Sequence, residues 1–373
     1  MSTLIEEFDE NPRLWLLLDD RPGHQTQVIG LGERLGWPFA VRRLSFNALN
    51  KLPNPILGAS VYSLDQAKSD PLTPPFPDIA IAMGRRSVPI ARWIRRMSGG
   101  RSKLVHIGRK GVTSADEFSL LISCEHFNMP PHARRRTVPV PPTQVTAERL
   151  AEARDEWAGL LSDRQRPHIV LLIGGDSASH ELSAAFGADV IRRAEAATDA
   201  VQGSLTVVTS RRTSPDVVRA MQTEAHRAAF ELWKPGQDRN PYLGYLAWAD
   251  GLIVTGESES MLAEASATGK PLHIVAVPER PLSVLKRIKR GMTYLARGQG
   301  QAAAICRTLF NQGWMTPHRD LQKMHDVMHA AGLARQFGSS LDLTQPARNM
   351  SAERIMEDLA ELMEPAPSGL VRG

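Results

Sequence analysis

Residues 250–275 constrain this chain more than any other stretch. Leu252-Ile-Val-Thr255 is a short apolar run of the kind that forms a strand buried on both faces. Gly256-Glu-Ser-Glu259 follows as a turn of small and polar residues, and the pattern from Ser260 to Thr268 predicts a helix. Gly269 supplies the left-handed stop, Pro271 lies just beyond it, and a second apolar strand begins at Leu272. Strand, polar turn, helix and strand in that order make a βαβ unit. Its turn aims backbone N–H groups and hydroxyls at one point, which suits a phosphate.

The rest of the chain repeats this alternation. Apolar runs at 14–18, 39–44, 79–83, 103–107 and 118–123 predict strands in a first half, with helices at 28–35 and from Gly84-Arg85-Arg86 to about Met97. Residues 50–77, rich in proline and polar side chains, read as an extended loop. A helix over 146–161 and a linker ending at Pro167 separate the halves. Strands at 168–173, 205–209 and 230–233 then alternate with helices over 179–197 and 215–226. Segments 281–297 and 320–331 look helical, 337–350 reads as a loop, and a last helix over 351–363 carries Ile355, Leu359 and Leu362 on one stripe.

With 373 residues, this arrangement fits two α/β domains. The expected boundaries are 12–145 and 167–335, with 146–166 as a linking helix and 351–364 returning to the first domain. Two glycine patterns mislead. Gly30-Leu-Gly32-Glu-Arg-Leu-Gly36 lies within and at the end of a helix rather than at a strand-to-helix turn, and Gly269-Lys270 follows a helix instead of opening one.

Hydrophobic content of 42% and charged content of 23% are ordinary for a globular chain. No apolar run reaches the ~20 residues needed to span a bilayer, and the acidic N-terminus has no signal-peptide pattern, so the expected location is cytoplasmic. Cys124 and Cys306 lack metal-ligand spacing and read as reduced, structural thiols. The net charge of +5 is unevenly spread. Ile79–Ala115 contains no acidic residue but carries Arg85, Arg86, Arg92, Arg95, Arg96, Arg101, Lys103, Arg109 and Lys110. A second basic cluster, Lys286, Arg287, Lys289 and Arg290, is interleaved with Leu285, Ile288 and Met292. Such clusters are most often solvated faces. Functionally they suit an anionic ligand or an anionic membrane surface at which the protein is peripheral. With 6% aromatics and no basic–aromatic interleaving, nucleic acid is not an expected partner.

In open α/β sheets ligands collect beyond the carboxyl ends of strands. In the second half those ends carry Gly174, Gly175 and Ser177, then Thr209, Ser210, Arg211 and Arg212, then Gly256, Ser258 and Ser260. Glu264 lies one helical turn beyond Ser260, where a carboxylate could take two ribose hydroxyls, and Met261 lies on the packing face. Each residue alone also reads as a cap, a turn or a solvated corner; three such turns together favour a nucleotide phosphate. In the first half, His24 and Asp20 follow the first strand and are candidates for acid–base work, beside Gly23 and Gln27. Arg85 and Arg86 end another strand and suit an anionic acceptor or diphosphate. His24 could equally be bonded to backbone, and Asp20 could be a helix cap.

Several of these motifs together resemble the mitochondrial fission Elm-type family, over about residues 14–348. They are Asp20-Arg-Pro-Gly-His-Gln-Thr-Gln27, Gly84-Arg-Arg86, Glu125-His126, Thr209-Ser-Arg-Arg-Thr213, Asn240-Pro-Tyr-Leu-Gly-Tyr245 and the stretch from Thr255 to Pro271. Asp176-Ser-Ala-Ser-His180 departs from the family pattern, which carries a basic residue after the Gly174-Gly175 turn. The 255–271 pattern is also similar to the donor site of GT-B glycosyltransferases, including those that make the peptidoglycan lipid intermediate. That resemblance implies two Rossmann-like domains facing a cleft, a serine turn on the diphosphate, Glu264 on the ribose, and no metal or resident cofactor. The expected function is an inverting, metal-independent glycosyltransferase using a nucleotide-sugar, on an envelope or lipid-linked acceptor. The alternatives are a non-catalytic adaptor on the same fold and a nucleotide-sugar epimerase.

Overall fold

A computed structural model of the chain describes residues 13–108, 115–236, 239–338, 340–348 and 350–363. Arg109 and Lys110 of the first basic stretch lie outside these residues, as does the side chain of Leu362. The first run of elements is β1 (Leu14–Leu18), α1 (Pro22–Leu35), β2 (Phe39–Arg43), α2 (Asn54–Leu57), β3 (Ile79–Met83) and α3 (Val88–Met97). Strands β4 (Lys103–Ile107), β5 (Leu120–Cys124) and β6 (Arg135–Val138) follow, then α4 (Ala147–Glu156). The alternation resumes with β7 (His168–Ile173), α5 (Ala184–Ala200), β8 (Ser204–Thr209), α6 (Pro215–Glu224) and β9 (Ala229–Glu231). Then come α7 (Tyr242–Trp248), β10 (Gly251–Thr255), α8 (Glu259–Ala267) and β11 (Leu272–Val275). The last elements are α9 (Val284–Leu295), α10 (Gln301–Asn311), α11 (Leu321–Ala330), β12 (Arg335–Gln336) and α12 (Ser351–Met363).

The chain forms two compact α/β units, each with a six-stranded parallel sheet. The first comprises residues up to Val138 together with 289–318 and the segment from 351 on, and the second comprises 139–288 and 319–350. Two boundaries therefore differ from the sequence expectation. Residues 146–166 belong to the second unit, where α4 packs on α7, with Gly244 so close to Trp157 that an added Cβ would lie 2.7 Å from its ring. Most of α9 and all of α10 go with the first unit, although their chain position lies among second-unit elements. Local sequence pattern carries no signal of which core a helix will join.

In the first unit the strand order is β2-β1-β3-β4-β5-β6. Both faces of the sheet are covered, so β1 alternates strictly: Leu14, Leu16 and Leu18 pack under α1 and α12, while Trp15 and Leu17 pack under α3. Gly32 of the first glycine decoy sits in α1 against Leu16, where a Cβ would come within 2.6 Å of Cδ1; its role is helix-to-strand packing. The second unit has the order β12-β11-β10-β7-β8-β9. Val170, Leu172, Leu252 and Val254 face α7, α8 and α11, whereas Ile169, Leu171, Ile173 and Ile253 face α5 and α6. Among the described residues no helix is long and apolar enough to cross a membrane.

Three local expectations are corrected. Helix α1 begins at Pro22, not Val28, because proline at the first helical position needs no N–H partner. His24 is thus in the first turn of a helix, not in a loop. Helix α5 begins at 184 rather than 179, because Ser183 caps it by accepting from the Phe186 N–H at 3.1 Å. Helix α2 falls within residues 50–77, read as an extended loop, and helices α7 and α10 break up stretches that carried no such expectation.

Candidate functional site

Each sheet has one position where the strand order reverses, and ligands of open α/β sheets collect there. In the first unit it falls between β1 and β3, and in the second between β7 and β10. The residues marked in the sequence gather at these two points.

At the first, β1 ends at Asp19, a buried carboxylate. Its Oδ2 lies 2.9 Å from His24 Nδ1 and 2.9 Å from Arg86 Nη2, and its Oδ1 accepts from the Arg21 N–H at 3.1 Å. Burial alone would raise the Asp19 carboxyl. The His24 hydrogen bond and charge, with the Arg86 and Arg21 contacts, outweigh it and hold the group below its ordinary value. Because Asp19 is ionised and accepts, the Nδ1 of His24 is the donor of this bond. Gly84 makes room for that imidazole: it stands at φ 77°, and a Cβ there would lie 2.7 Å from His24 Cε1. The Gly84 carbonyl is 3.2 Å from Nε2 of the buried His106, whose pKa burial pushes down to about 4.

This geometry corrects the sequence reading of Asp20. The partner of His24 is Asp19, while Asp20 is exposed and pairs with Arg86. Strand alternation carries the signal: Asp19 continues the side of β1 held by Trp15 and Leu17. Arg85 is also turned away from a ligand role, since its guanidinium donates to the Asn50 and Leu52 carbonyls and pins that loop. Arg86 stacks over Phe46 at 4.8 Å while bonding both aspartates. Gly23 lies in the first turn of α1 and Gln27 is buried one turn later.

At the second point, β7 runs into Gly174-Gly175 and β10 into Gly256-Glu257-Ser258. Both glycines are required by close approach: a Cβ on Gly174 would stand 1.8 Å from Glu257 Oε1, and one on Gly175 would stand 2.0 Å from the Arg212 carbonyl oxygen. Their N–H groups are occupied. Gly174 donates to Thr255 Oγ1 at 2.9 Å and Gly175 to Glu257 Oε1 at 2.7 Å, so this turn does not offer the free phosphate donors expected of it. Ser210 Oγ and Thr213 Oγ1 donate to the Gly174 carbonyl at 2.8 and 2.6 Å, and Arg212 Nη1 donates to the Gly175 carbonyl at 3.2 Å. Thr209 is structural, accepting from the Trp233 N–H at 2.8 Å. Ser177 accepts from the His180 N–H at 3.0 Å within its own turn, and Arg211 is exposed.

What remains for a ligand is the start of α8. Ser258 is the N-cap residue, buried, and makes no side-chain capping bond; Glu259 is drawn off by Arg319 at 2.7 Å. The Gly256 carbonyl is held by Nε2 of the buried His325 at 2.7 Å, and a Cβ on Gly256 would meet that ring at 2.5 Å. Ser260 and Glu264 follow on the helix, with Met261 in the core. Burial raises the Glu264 carboxyl to about 7, and the hydrogen bond from Tyr242, 2.7 Å from Oε2, lowers it in part. Glu257 is raised as well, first by burial, and among the described residues its Oε2 meets no hydrogen-bond partner. Lys270 of the second glycine decoy caps α7 by donating to the Leu246 and Ala247 carbonyls at 2.7 and 2.6 Å.

Sequence reasoning placed Asp19 beside Asp20 and His24 without pairing it to the imidazole, and passed over Tyr242, Glu257, His106 and His325. Tyr242 had a signal, since it lies in the Asn240–Tyr245 motif that carried the family resemblance.

Comparisons with known proteins agree with that resemblance. The sequence profile described as mitochondrial fission ELM1 matches residues 22–314. Mitochondrial fission protein ELM1 of Arabidopsis thaliana is 28% identical over 228 residues, which span 53% of this chain and about half, 51%, of the plant protein. An uncharacterised protein of Rickettsia prowazekii, RP120, is 23% identical over 71% of this chain and 83% of its own length. Among solved structures, a glycosyltransferase from Rickettsia africae overlays 96% of this chain on 100% of its own at 10% identity and a TM-score of 0.45. A UDP-N-acetylglucosamine 2-epimerase gives 12% identity, coverage of 96% and 98%, and a TM-score of 0.46. The matched span takes in His24, Gly84-Arg-Arg86 and the turns of the second switch point, and the chain belongs to the mitochondrial fission ELM1 family.

Proposed function

We propose that this protein is a glycosyltransferase that takes a nucleotide-sugar on its second unit and uses His24 on its first unit as base. The observation that carries the reading is the start of α8. An N-terminus without a side-chain cap stands at the β7/β10 switch point, and a mostly buried carboxylate, Glu264, stands one turn along it. The helix N–H groups and the Ser258 and Ser260 hydroxyls suit a diphosphate, and Glu264 suits the ribose diol. On this reading the glycine turn is a support, held by Glu257 and Thr255, instead of a phosphate ligand.

The chemistry is a displacement at the sugar's anomeric carbon with inversion. The acceptor hydroxyl gives its proton to His24 Nε2 as its oxygen bonds to that carbon, and the bond to the diphosphate breaks. Asp19 and Arg86 keep the imidazole oriented and Asp19 stabilises the imidazolium that forms. The helix N-terminus stabilises the departing diphosphate, a role that metal ions fill in other transferases. The nucleotide-sugar is a substrate rather than a bound cofactor, and the setting is cytoplasmic, with an envelope or lipid-linked acceptor.

The test is a thermal-shift screen with UDP, GDP, ADP and CMP. A nucleotide at a hundred times its Kd should stabilise the protein by about 2.7 kcal/mol, and Glu264→Ala should abolish that shift. No response to any of the four refutes a nucleotide site and leaves the adaptor role of the family as the better account. Given a nucleotide response, sugar transfer to lipid extracts that is lost in His24→Ala supports the base; turnover unchanged in that variant refutes it.

A further inference from the structure

Helix α9 is built inside out. Its apolar residues Val284, Leu285, Ile288, Met292 and Leu295, with Gly291, fall within an arc of about 120° at 100° per residue. In an ordinary surface helix that arc faces the core. Here Val284 is 72% exposed, Leu285 59%, Ile288 52% and Leu295 51%. The opposite face is turned inward. Thr293 is buried, donating to the Lys289 carbonyl at 2.7 Å and accepting from the His318 N–H at 2.8 Å, and the Lys286 ammonium is tied to the Ala178 carbonyl. The helix is therefore held by its polar side and presents its apolar side outward.

We propose that this stripe inserts into an anionic phospholipid surface. Charge selects the occupant. From Arg280 to Arg319 the sequence contains no Asp or Glu; Arg287 and Lys289 each lie about 40° beyond one edge of the stripe, and Tyr294, which is 75% exposed, stands beside Arg287. Basic side chains beside an aliphatic stripe reach lipid phosphates while their stems lie on the acyl boundary, and tyrosine is suited to that boundary. A second copy of the chain would instead bring the same basic side chains against one another across a two-fold axis, which is repulsive. The stripe is also short of the ~20 residues that a span requires, so the helix lies in the surface.

The inference stands apart from the transferase reading, because it rests on no residue of the two switch points. Co-sedimentation of the full chain with vesicles tests it, using phosphatidylcholine alone and phosphatidylcholine containing phosphatidylglycerol. The chain should sediment with the anionic vesicles and not with the neutral ones. Ile288→Glu with Leu285→Glu should abolish this without lowering the melting temperature, since both side chains are already in water. Reversing Arg287 to Glu should weaken partitioning at least about fivefold and reduce its salt dependence. Equal binding to neutral vesicles, binding unchanged in the stripe variant, or no binding to either vesicle overturns the proposal. So does a concentration-dependent dimer that the stripe variant loses while vesicle binding is absent.

Discussion

Replacing Glu264 with Gln should stabilise this protein at alkaline pH and leave it unchanged in acid. Burial raises the Glu264 carboxyl from an ordinary 4.5 to about 7. Below pH 4.5 the group is protonated whether the chain is folded or not, and it contributes no pH dependence. Between 4.5 and 7 the unfolded chain releases its proton while the folded chain keeps it, so stability falls as pH rises. Above 7 the folded protein carries the full cost of a buried carboxylate, on the order of 3 kcal/mol. Glutamine reproduces the neutral form and can still accept from Tyr242. The difference in stability between variant and parent should therefore be near zero at pH 4 and rise to about 3 kcal/mol in the variant's favour at pH 8. Urea midpoints measured side by side at several pH values isolate the effect, because every other titrating group cancels in the difference. A difference that stays flat with pH would refute the argument that Glu264 is held in a desolvated site. The same displacement bears on the proposed ligand: if only the carboxylate accepts the ribose hydroxyls, nucleotide affinity should fall about tenfold between pH 8 and pH 6.

Other substitutions test other links. Asp19→Asn removes the charge that His24 and Arg86 share and should cost about 2 kcal/mol at neutral pH by denaturant unfolding. Because the Asp19 carboxyl is held low, that cost should shrink in acid, as the parent loses the same interaction when pH falls through the lowered value. His106 behaves in the opposite sense to Glu264. Its pKa is depressed from 6.5 to about 4, so acid should destabilise the parent across that window by up to about 3 kcal/mol, and His106→Gln should flatten the profile. Gly174→Ala drives a methyl group into Glu257 and should cost about 2 kcal/mol, with Glu257 displaced from the Gly175 N–H. Gly291→Ala is its control, lying in a helix with no heavy atom within 4 Å of the new carbon, and should stabilise by about 1 kcal/mol in thermal unfolding.

The inner strands were legible because strands buried on both faces read as continuous apolar runs, as at Leu14–Leu18 and Leu252–Thr255, whereas the edge strands β6 and β12, which carry arginines in place of such a run, were not. The strand ends were legible too, since their glycines and hydroxyl residues stand out against those runs. What could not be read was how the polar groups at one strand end satisfy those at another. Parallel pairing of β7 with β10, with Leu172 opposite Val254, brings Thr255 and Glu257 to the Gly174 and Gly175 N–H groups, and no local pattern encodes that register. Adjacent residues pose the same difficulty. Asp19 and Asp20 differ by one position, and the end of the pleat decides which of them reaches His24. Helix α9 was half legible for a related reason: its amphipathic pattern announces a helix, but only the fold shows that the apolar side is the outer one.

The discontinuous course of the first unit has a consequence for how the protein is made. Its sheet is complete once Val138 has been synthesised, yet the face beneath α1 also needs Ile355 and Leu359 of α12. Those residues leave the ribosome roughly 200 residues later, which at typical elongation rates is ten seconds or more. During that interval the second unit can form from a nearly contiguous stretch while the first presents an unsealed apolar face. Nascent chains of this protein should therefore be customers for chaperones that shield such surfaces, and a stop codon shortly before Ser351 should yield an aggregating product rather than a trimmed, active one.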